Sequence, residues 1–256
     1  MILIEKPLRD NCYFSDEAAP PGLRAPGDTR RSIDGILAHF TVGQSASSAW
    51  YTFSGAPANI GYPEGTPYII DVNGAVWRLF DEGEAWSYHI GCVGAWAQNH
   101  KHDKRLVGVE VVNIGPLTLG HDGKTLVWNG GRTLFGVIGD PKCPPFKKLD
   151  TPFRGFQYFA MFAPAQIAAF VELADMLQKK WKFPRIIPPL KRTVSTPTQP
   201  EHVDVPCRFA YDEAFFADRK GVVSHTNYRQ WDKWDWNPSA PELWDALKAD
   251  GWVEQA

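Results

Sequence analysis

Residues 106–112 read Leu-Val-Gly-Val-Glu-Val-Val, a near-continuous apolar run that carries one acidic residue, Glu110. Runs of this length and composition are typical of strands that are buried on both faces of a sheet. Successive side chains of a strand point to opposite faces, so Glu110 shares its face with Gly108 and Val112 and not with the other valines. We therefore predict a central strand with a carboxylate near its C-terminal end, on one face only.

Two other short apolar runs carry a histidine at or near their ends. Residues 35–41 read Gly-Ile-Leu-Ala-His-Phe-Thr, with His39 near the end, and residues 221–225 read Gly-Val-Val-Ser-His, with His225 at the end. Ligands of open α/β sheets collect at the carboxyl edge of the strands, so we expect both histidines to lie close to Glu110. Imidazole and carboxylate groups that converge from different strands are what a zinc site needs.

The remaining periodic segments predict one hairpin and three helices. Residues 67–80 contain two apolar runs separated by Asn73-Gly74, which favours a tight β-hairpin. Helical spacing or helix start signals occur in three segments, which span residues 45–54, 164–181 and 239–249. The last of these opens with Ser239-Ala-Pro-Glu242, which has the spacing of a capping box.

Strands interspersed with helices, without an internal repeat, predict a single α/β domain with a mixed central β-sheet flanked by helices. Residues 1–32 are rich in proline, glycine and charge, so we predict an irregular N-terminal segment followed by a folded domain over 33–256. Two stretches at about 113–163 and 184–220 are rich in proline or glycine and are predicted to be long loop insertions. The first is expected to form a groove.

Composition excludes several classes of function. The chain has 27 basic and 29 acidic residues, which argues against broad binding of nucleic acid. No apolar run approaches the length of roughly 20 residues that spans a bilayer, so no membrane insertion is expected. Glu5, Lys6 and Pro7 come too early for a signal peptide, and we expect synthesis in the cytoplasm without a Sec-type signal, with any action on the cell wall following release or delivery by another route.

The segment after His225 contains two aspartates, Asp232 and Asp235, within an irregular stretch. A loop of this length can fold back and bring a carboxylate to the same ion as His39 and His225. From the residues alone, either aspartate fits this place. Two imidazole nitrogens and one carboxylate oxygen leave a fourth tetrahedral position for water, which is the arrangement of a catalytic zinc site.

Taken in order along the chain, these segments resemble the zinc-dependent N-acetylmuramoyl-L-alanine amidases of type 2, which share a fold with peptidoglycan recognition proteins and some phage lysozymes. The matching segments are Ile36 to Thr41, the helix with Trp50, Thr66 to Val76, Tyr88-His89-Ile90-Gly91, the strand around Glu110, Val222 to His225, and Lys233-Trp234-Asp235. The last matches the family's Lys-x-Asp motif and thus selects Asp235 over Asp232.

The resemblance implies both a reaction and a set of roles. The reaction is hydrolysis of the amide between N-acetylmuramic acid and L-alanine in peptidoglycan or muropeptides. The implied zinc ligands are His39, His225 and Asp235. Glu110 is implied as the catalytic base and Lys233 as the group that stabilises the transition state, and the substrate contacts are His89, Thr66 and Trp50.

Two alternative functions remain open at the level of sequence. The same fold serves as a non-catalytic peptidoglycan-binding receptor, typically where a metal ligand is missing, and the presence of all three implied ligands here favours an enzyme. A zinc hydrolase acting on another amide is the second alternative. The long insertions and abundant aromatic residues favour lysis of the cell wall, as by an endolysin, over recycling of wall fragments.

Overall fold

The computed structural model describes residues 1–8, 13–14, 32–60, 64–90, 102–128, 130–196, 199–229 and 233–255. In chain order, the strands are β1 (Ile2–Glu5), β2 (Tyr13–Phe14), β3 (Gly35–Phe40), β4 (Tyr68–Ile70), β5 (Ala75–Arg78), β6 (Ala85–Trp86), β7 (Leu106–Val111), β8 (Pro116–Leu119), β9 (Thr125–Trp128), β10 (Thr133–Val137), β11 (Phe146–Phe153), β12 (Phe156–Ala160), β13 (Ile186–Ile187), β14 (Lys191–Thr196), β15 (Gln199–Pro206), β16 (Gly221–Ser224) and β17 (Val253–Glu254). The helices are α1 (Ala46–Ile60), α2 (Pro164–Trp181), α3 (Glu213–Phe216) and α4 (Pro241–Ala249), and a short 3-10 helix covers His225–Asn227.

Six strands form the central sheet in the order β1-β5-β4-β7-β3-β16. Neighbouring strands are parallel except β4 and β5, which form the predicted antiparallel hairpin. The predicted single α/β domain with a mixed, helix-flanked sheet is therefore confirmed. The hairpin turn differs in detail from the expected two-residue form, because the Gly74 N–H bonds the Asp71 carbonyl and only Gly74 of the Asn-Gly pair has a positive φ.

Helices cover both faces of this sheet. Helix α2 buries Phe170, Leu173 and Leu177 against one face, together with Leu243 and Trp244 of α4. Helix α1 packs its buried alanines and part of Trp50 against the other face. Helix α4 begins after Ala240, which makes no side-chain cap hydrogen bond, so the capping box predicted at Ser239 is wrong. Pro241 in the first turn starts the helix instead.

Residues 113–163 are not the long loop that was predicted. Strands β8 to β12 form a separate five-stranded antiparallel sheet in the order β10-β9-β8-β12-β11, here called the inserted sheet. It has its own small core of Leu117, Leu126, Tyr158 and Ala160. The glycines mark tight turns between short strands, as at Gly123, which has a φ of +68°. The groove expected of this insertion stays a prediction.

Two other stretches also hold more regular structure than was predicted. Residues 184–220 contain β13, the β14–β15 hairpin and α3 rather than a continuous loop. In the N-terminal segment, β1 pairs in parallel with β5 at one edge of the central sheet. Residues 9–12 and 15–31 of that segment lie outside the described residues.

None of the described helices is long and apolar enough to cross a membrane.

Three backbones meet at Gly221, which has a φ of +88°. A Cβ added to Gly221 would lie 2.2 Å from the carbonyl oxygen of Ile186, and a Cβ added to Gly35 would lie 2.0 Å from the carbonyl oxygen of Gly221. Both distances are far below van der Waals contact. The absence of side chains here lets β16 pair with β3 while β13 passes close by.

We expect Gly221→Ala to lower the free energy of unfolding by at least about 4 kcal/mol, because backbone overlap adds to the strain of the left-handed conformation. Gly139→Ala is the matched control, since Gly139 has a φ of +90° and nothing within 4 Å of the added Cβ. It is expected to lose only about 1–2 kcal/mol. Denaturant unfolding of both variants measures the difference, and equal losses would show that the close approach at Gly221 is unimportant.

Glu82 ties the hairpin side of the sheet to the end of α2. Its buried carboxylate accepts hydrogen bonds from the Tyr68 hydroxyl at 2.7 Å, the Lys180 ammonium at 2.7 Å and the Trp181 indole at 3.0 Å. Burial alone raises the pKa of Glu82, but these hydrogen bonds outweigh it and hold the pKa below the usual value of 4.5. The ionised form is thus favoured by the fold.

A carboxyl group whose pKa is depressed by folding stabilises the protein above its unfolded pKa, and this stabilisation is lost as the pH falls through the folded value. We expect the stability of the wild type to fall as the pH drops below about 5, in part through Glu82. Glu82→Gln should be less stable at neutral pH and show a shallower decline over this range. Unfolding curves measured as a function of pH test this, with Glu242→Gln as the control. If Glu82 were not responsible, the stability of Glu82→Gln would decline in parallel with that of the wild type.

Candidate metal centre

Parallel strands and one loop bring His39, His225 and Asp235 together. All three side chains are buried, and each offers a ligand atom within 4.8 Å of the others. The Nδ1 atoms of His39 and His225 lie 2.8 Å apart, and His225 Nδ1 is 3.6 Å from Asp235 Oδ2. The residues singled out on the sequence therefore form one cluster, which could hold a metal ion.

The register of the sheet sets this arrangement. His39 of β3 lies opposite Glu110 of β7, and Ser224 of β16 lies opposite Ala38, which places His225 just beyond the same edge. Ala38, which precedes His39, belongs to the core that packs on α2, so His39 points to the opposite side of the sheet. Glu110 shares that side, as the alternation of its strand predicted.

Ser224 fixes His225 and Asp235 relative to each other. Its hydroxyl accepts from the Thr226 N–H at 3.3 Å at the start of the 3-10 helix and donates to the Asp235 carbonyl at 2.8 Å. The Asp235 Oδ1 atom accepts from the Phe40 N–H at 2.7 Å. One carboxylate oxygen is thus held by β3, which leaves Oδ2 to face His225.

Hydrogen bonds to backbone carbonyls determine which nitrogens of the imidazoles carry protons. His225 Nε2 lies 2.6 Å from the carbonyl oxygen of Ile90 and His89 Nε2 lies 3.2 Å from that of Leu106. Carbonyl oxygens only accept, so both Nε2 atoms carry hydrogen and both Nδ1 atoms are bare in the neutral rings. His89 Nδ1 then accepts from His39 Nε2–H at 3.0 Å, which leaves His39 Nδ1 bare as well.

Both rings of the cluster are neutral. Burial lowers the pKa of His39 well below its usual 6.5, and the nearby His225 and His89 lower it further. Burial likewise lowers the pKa of His225, and the positive charge of Lys233 lowers it further. Two bare Nδ1 atoms therefore face each other beside a carboxyl oxygen. This donor set fits a divalent cation, because a cation satisfies three converging acceptors at once.

The far sides of the rings are also bonded as in metal sites. A ligating histidine normally donates its second N–H to a carbonyl, carboxylate or similar acceptor, which orients the ring. Here the Ile90 carbonyl does this for His225 and His89 does it for His39. Gly108 makes room for His89, since an added Cβ would lie 3.0 Å from His89 Nδ1. The roles of Gly108, Ser224 and Ile90 had no signal in the sequence beyond their place beside the predicted ligands.

Glu110 presents a carboxyl group beside the cluster. Its Oε2 atom is buried and has no hydrogen-bond partner within the described residues. Burial raises the pKa of Glu110 to about 8, with a further contribution from Asp235 and opposition from Lys233. Burial also raises the pKa of Asp235, opposed first by Lys233 and then by the Phe40 N–H. The half-buried Lys233 thus supplies positive charge to the whole cluster.

The three predicted substrate contacts lie outside the group of candidate metal ligands. His89 is buried behind His39, and Thr66 is buried with its hydroxyl donating to the Tyr68 carbonyl at 2.9 Å. Trp50 is half-buried on α1 and donates to the Lys6 carbonyl at 3.4 Å. Contact of these residues with substrate stays a prediction. Asp232, the alternative loop ligand, and Gly91, of the predicted substrate loop, lie outside the described residues.

Comparisons with known proteins give distant structural likenesses only. No protein-family model matches the sequence, and no curated protein does. Among solved structures, the chain is similar to the N-acetylmuramoyl-L-alanine amidase LysC from Clostridium intestinale URNW, with 11% identity and a TM-score of 0.46 over 98% of this chain and 97% of that chain. It is also similar to the N-acetylmuramyl-L-alanine amidase AmiD from E. coli, solved with anhydro-N-acetylmuramic acid-L-Ala-D-gamma-Glu-L-Lys, with 20% identity and a TM-score of 0.36 over 69% of this chain and 55% of that chain. At these values neither structure assigns the chain to a family.

The donor set predicts one divalent ion per chain. His225→Ala and Asp235→Ala are each expected to weaken zinc binding by at least tenfold, the scale of loss reported for groups that support a metal site. Competition with a chromophoric chelator measures the affinity, and His121→Ala, at an exposed loop position, is the control. Retention of zinc by Asp235→Ala together with its loss in Asp232→Ala would show that the other aspartate is the ligand.

Proposed function

We propose that this chain is a zinc-dependent hydrolase that cleaves the amide between N-acetylmuramic acid and L-alanine in peptidoglycan or its fragments. The observation that carries the proposal is that two bare imidazole nitrogens and a carboxylate oxygen lie beside Glu110 of the adjacent strand, whose buried Oε2 atom has no hydrogen-bond partner among the described residues. Two nitrogens and one oxygen from the protein are the ligands of a catalytic zinc site. His39, His225 and Asp235 would hold the ion.

Bound zinc supplies a Lewis acid that makes water a usable nucleophile near neutral pH and polarises a carbonyl. Glu110 accepts the proton of the attacking water at its carboxylate and returns it to the leaving amine nitrogen. A neighbouring cation favours the ionised form of Glu110 that this role requires. Lys233 places positive charge beside the oxygen on which negative charge develops, and His89 and the Ile90 carbonyl keep the imidazoles oriented.

The enclosed carboxyl group favours an enzyme over a binding protein of similar fold. Burying a carboxyl oxygen without a hydrogen-bond partner costs free energy, and Oε2 of Glu110 bears this cost in the described structure. A receptor that only binds a glycopeptide gains nothing from such a group, whereas a hydrolase needs a proton acceptor of this kind. The choice of the muramoyl–alanine bond rests on the resemblance in the ordered motifs, from His39 to Lys233-Trp234-Asp235.

The test is mass spectrometry of purified peptidoglycan after incubation with the zinc-loaded protein. We expect new free amino termini on L-alanine, and we expect Glu110→Gln to lower their rate of formation by at least about a hundredfold, the usual contribution of a general base. Glu110→Gln should keep one zinc per chain. Glu242→Gln, on the first turn of α4, is the control and should retain full activity.

Three other outcomes would contradict this proposal. Unchanged muropeptides together with measurable binding would identify a receptor. Neither cleavage nor binding, in a protein that carries zinc, would point to a hydrolase of a different amide. Cleavage that persists in Glu110→Gln would remove Glu110 from the role of proton acceptor.

A further inference from the structure

A tight turn of the inserted sheet carries an arginine that the turn itself does not favour. Arg154 and Gly155 connect β11 to β12, whose flanking residues Phe153 and Phe156 pair with each other. Arg154 has a φ of +49° and Gly155 a φ of +85°. Positive φ at both central residues is the mark of a type I′ turn, for which Asn-Gly is preferred. The Cβ atom of arginine is strained in this conformation, so the presence of Arg154 calls for a reason outside the turn.

The reason lies in the loop that carries two of the three candidate metal ligands, His225 and Asp235. We call residues 225–229 and 233–235 the ligand loop. The partly buried guanidinium of Arg154 donates through Nη1 to the carbonyl oxygens of Arg229, at 2.7 Å, and Lys233, and through Nη2 to that of Thr226, at 3.0 Å. One side chain thereby joins the residue after His225 to a residue just before Asp235.

Aromatic contacts fasten the same loop to the inserted sheet. The Trp234 indole donates to the Arg154 carbonyl at 3.4 Å, and its ring meets Phe156 edge-on with centroids 5.5 Å apart. On the other side of Asp235, Trp236 stacks on Phe162 with centroids 4.7 Å apart and an interplanar angle of 8°. Both neighbours of Asp235 are therefore held by residues in or next to β12.

We propose that Arg154 is a positioning residue, through which the inserted sheet holds the ligand loop so that His225 and Asp235 keep the spacing that a divalent ion requires. The planar guanidinium suits this task because it offers several donors in a fixed geometry to several carbonyls at once. The proposal rests on the metal centre of the proposed function. It adds a role for a part of the chain that contributes none of the candidate ligands.

Arg154→Asn separates this role from the folding of the hairpin. Asparagine before glycine favours the type I′ turn, so the hairpin should keep its stability, while the three hydrogen bonds to the ligand loop are lost. We expect zinc affinity, measured by chelator competition, to fall at least tenfold, and the visible spectrum of the cobalt-substituted protein to shift. In the metal-free protein, hydrogen exchange of peptides covering the ligand loop should be accelerated, with the unfolding midpoint unchanged or raised.

Arg132→Asn is the matched control, since Arg132 is exposed in the turn between β9 and β10 of the same sheet. It should change neither zinc affinity nor exchange in the ligand loop. Arg154→Lys keeps the charge but not the planar set of donors, and we expect an intermediate loss. It also serves as the second variant if Arg154→Asn does not fold.

Wild-type zinc affinity and wild-type exchange in Arg154→Asn would overturn the proposal. Because neither measurement requires cleavage of peptidoglycan, a failure to cleave muropeptides would refute the proposed substrate and leave this test intact. Absence of any divalent ion from the wild type would refute the proposed metal centre, and unaltered loop exchange in metal-free Arg154→Asn would then refute the positioning role separately.

Discussion

The candidate site depends on one electrostatic constraint, the meeting of two buried, neutral imidazoles through nitrogens that carry no proton. The backbone imposes it, since the carbonyls of Ile90 and Leu106 take up the N–H groups on the outer sides of His225 and His89. Lone pairs that face each other beside a carboxylate raise the electrostatic free energy in an interior of low dielectric. A cation placed between them would make the same arrangement favourable. The hydrogen bonds that prepare the candidate site for a positive ion therefore lie outside the cluster.

Close packing of backbone makes this constraint possible. Strands β3, β7 and β16 run in parallel and place His39, Glu110 and His225 at one edge, on the side of the sheet away from α2. Glycines stand where a side chain would block the assembly: Gly221 lets β13 approach β16, and Gly108 lets His89 reach His39. The chemistry of the site thus rests on small residues as much as on the ionisable ones.

The parts of this molecule that could be predicted from sequence are those with a strong local period. The three strands, helix α2 and the cluster of His39, His225 and Asp235 follow from apolar runs, helical spacing and the order of motifs. The inserted sheet was predicted as a loop because its strands are short and interrupted by glycine and proline, so each lacks a clear alternation, and only pairing with its neighbours makes it a sheet. The tautomers of the histidines and the reach of Arg154 depend on contacts between residues far apart in sequence, which no local pattern reveals.

The ligand loop shows how these two kinds of structure depend on each other. Trp236, directly after Asp235, has a φ of +51°, and Arg154 has one of +49°, so both sides of this contact hold backbone conformations that bulky residues rarely adopt. Such conformations persist only where the surroundings over-determine them. Here each side constrains the other. The Arg154 guanidinium donates to carbonyls of the ligand loop, and stacking on Phe162 fixes Trp236, the residue that follows the candidate ligand Asp235. A loop that owed its shape to the ion alone would not need this second set of contacts. These contacts hold Asp235 through the protein's own residues, so an ion bound at the candidate metal centre would not have to order this side chain.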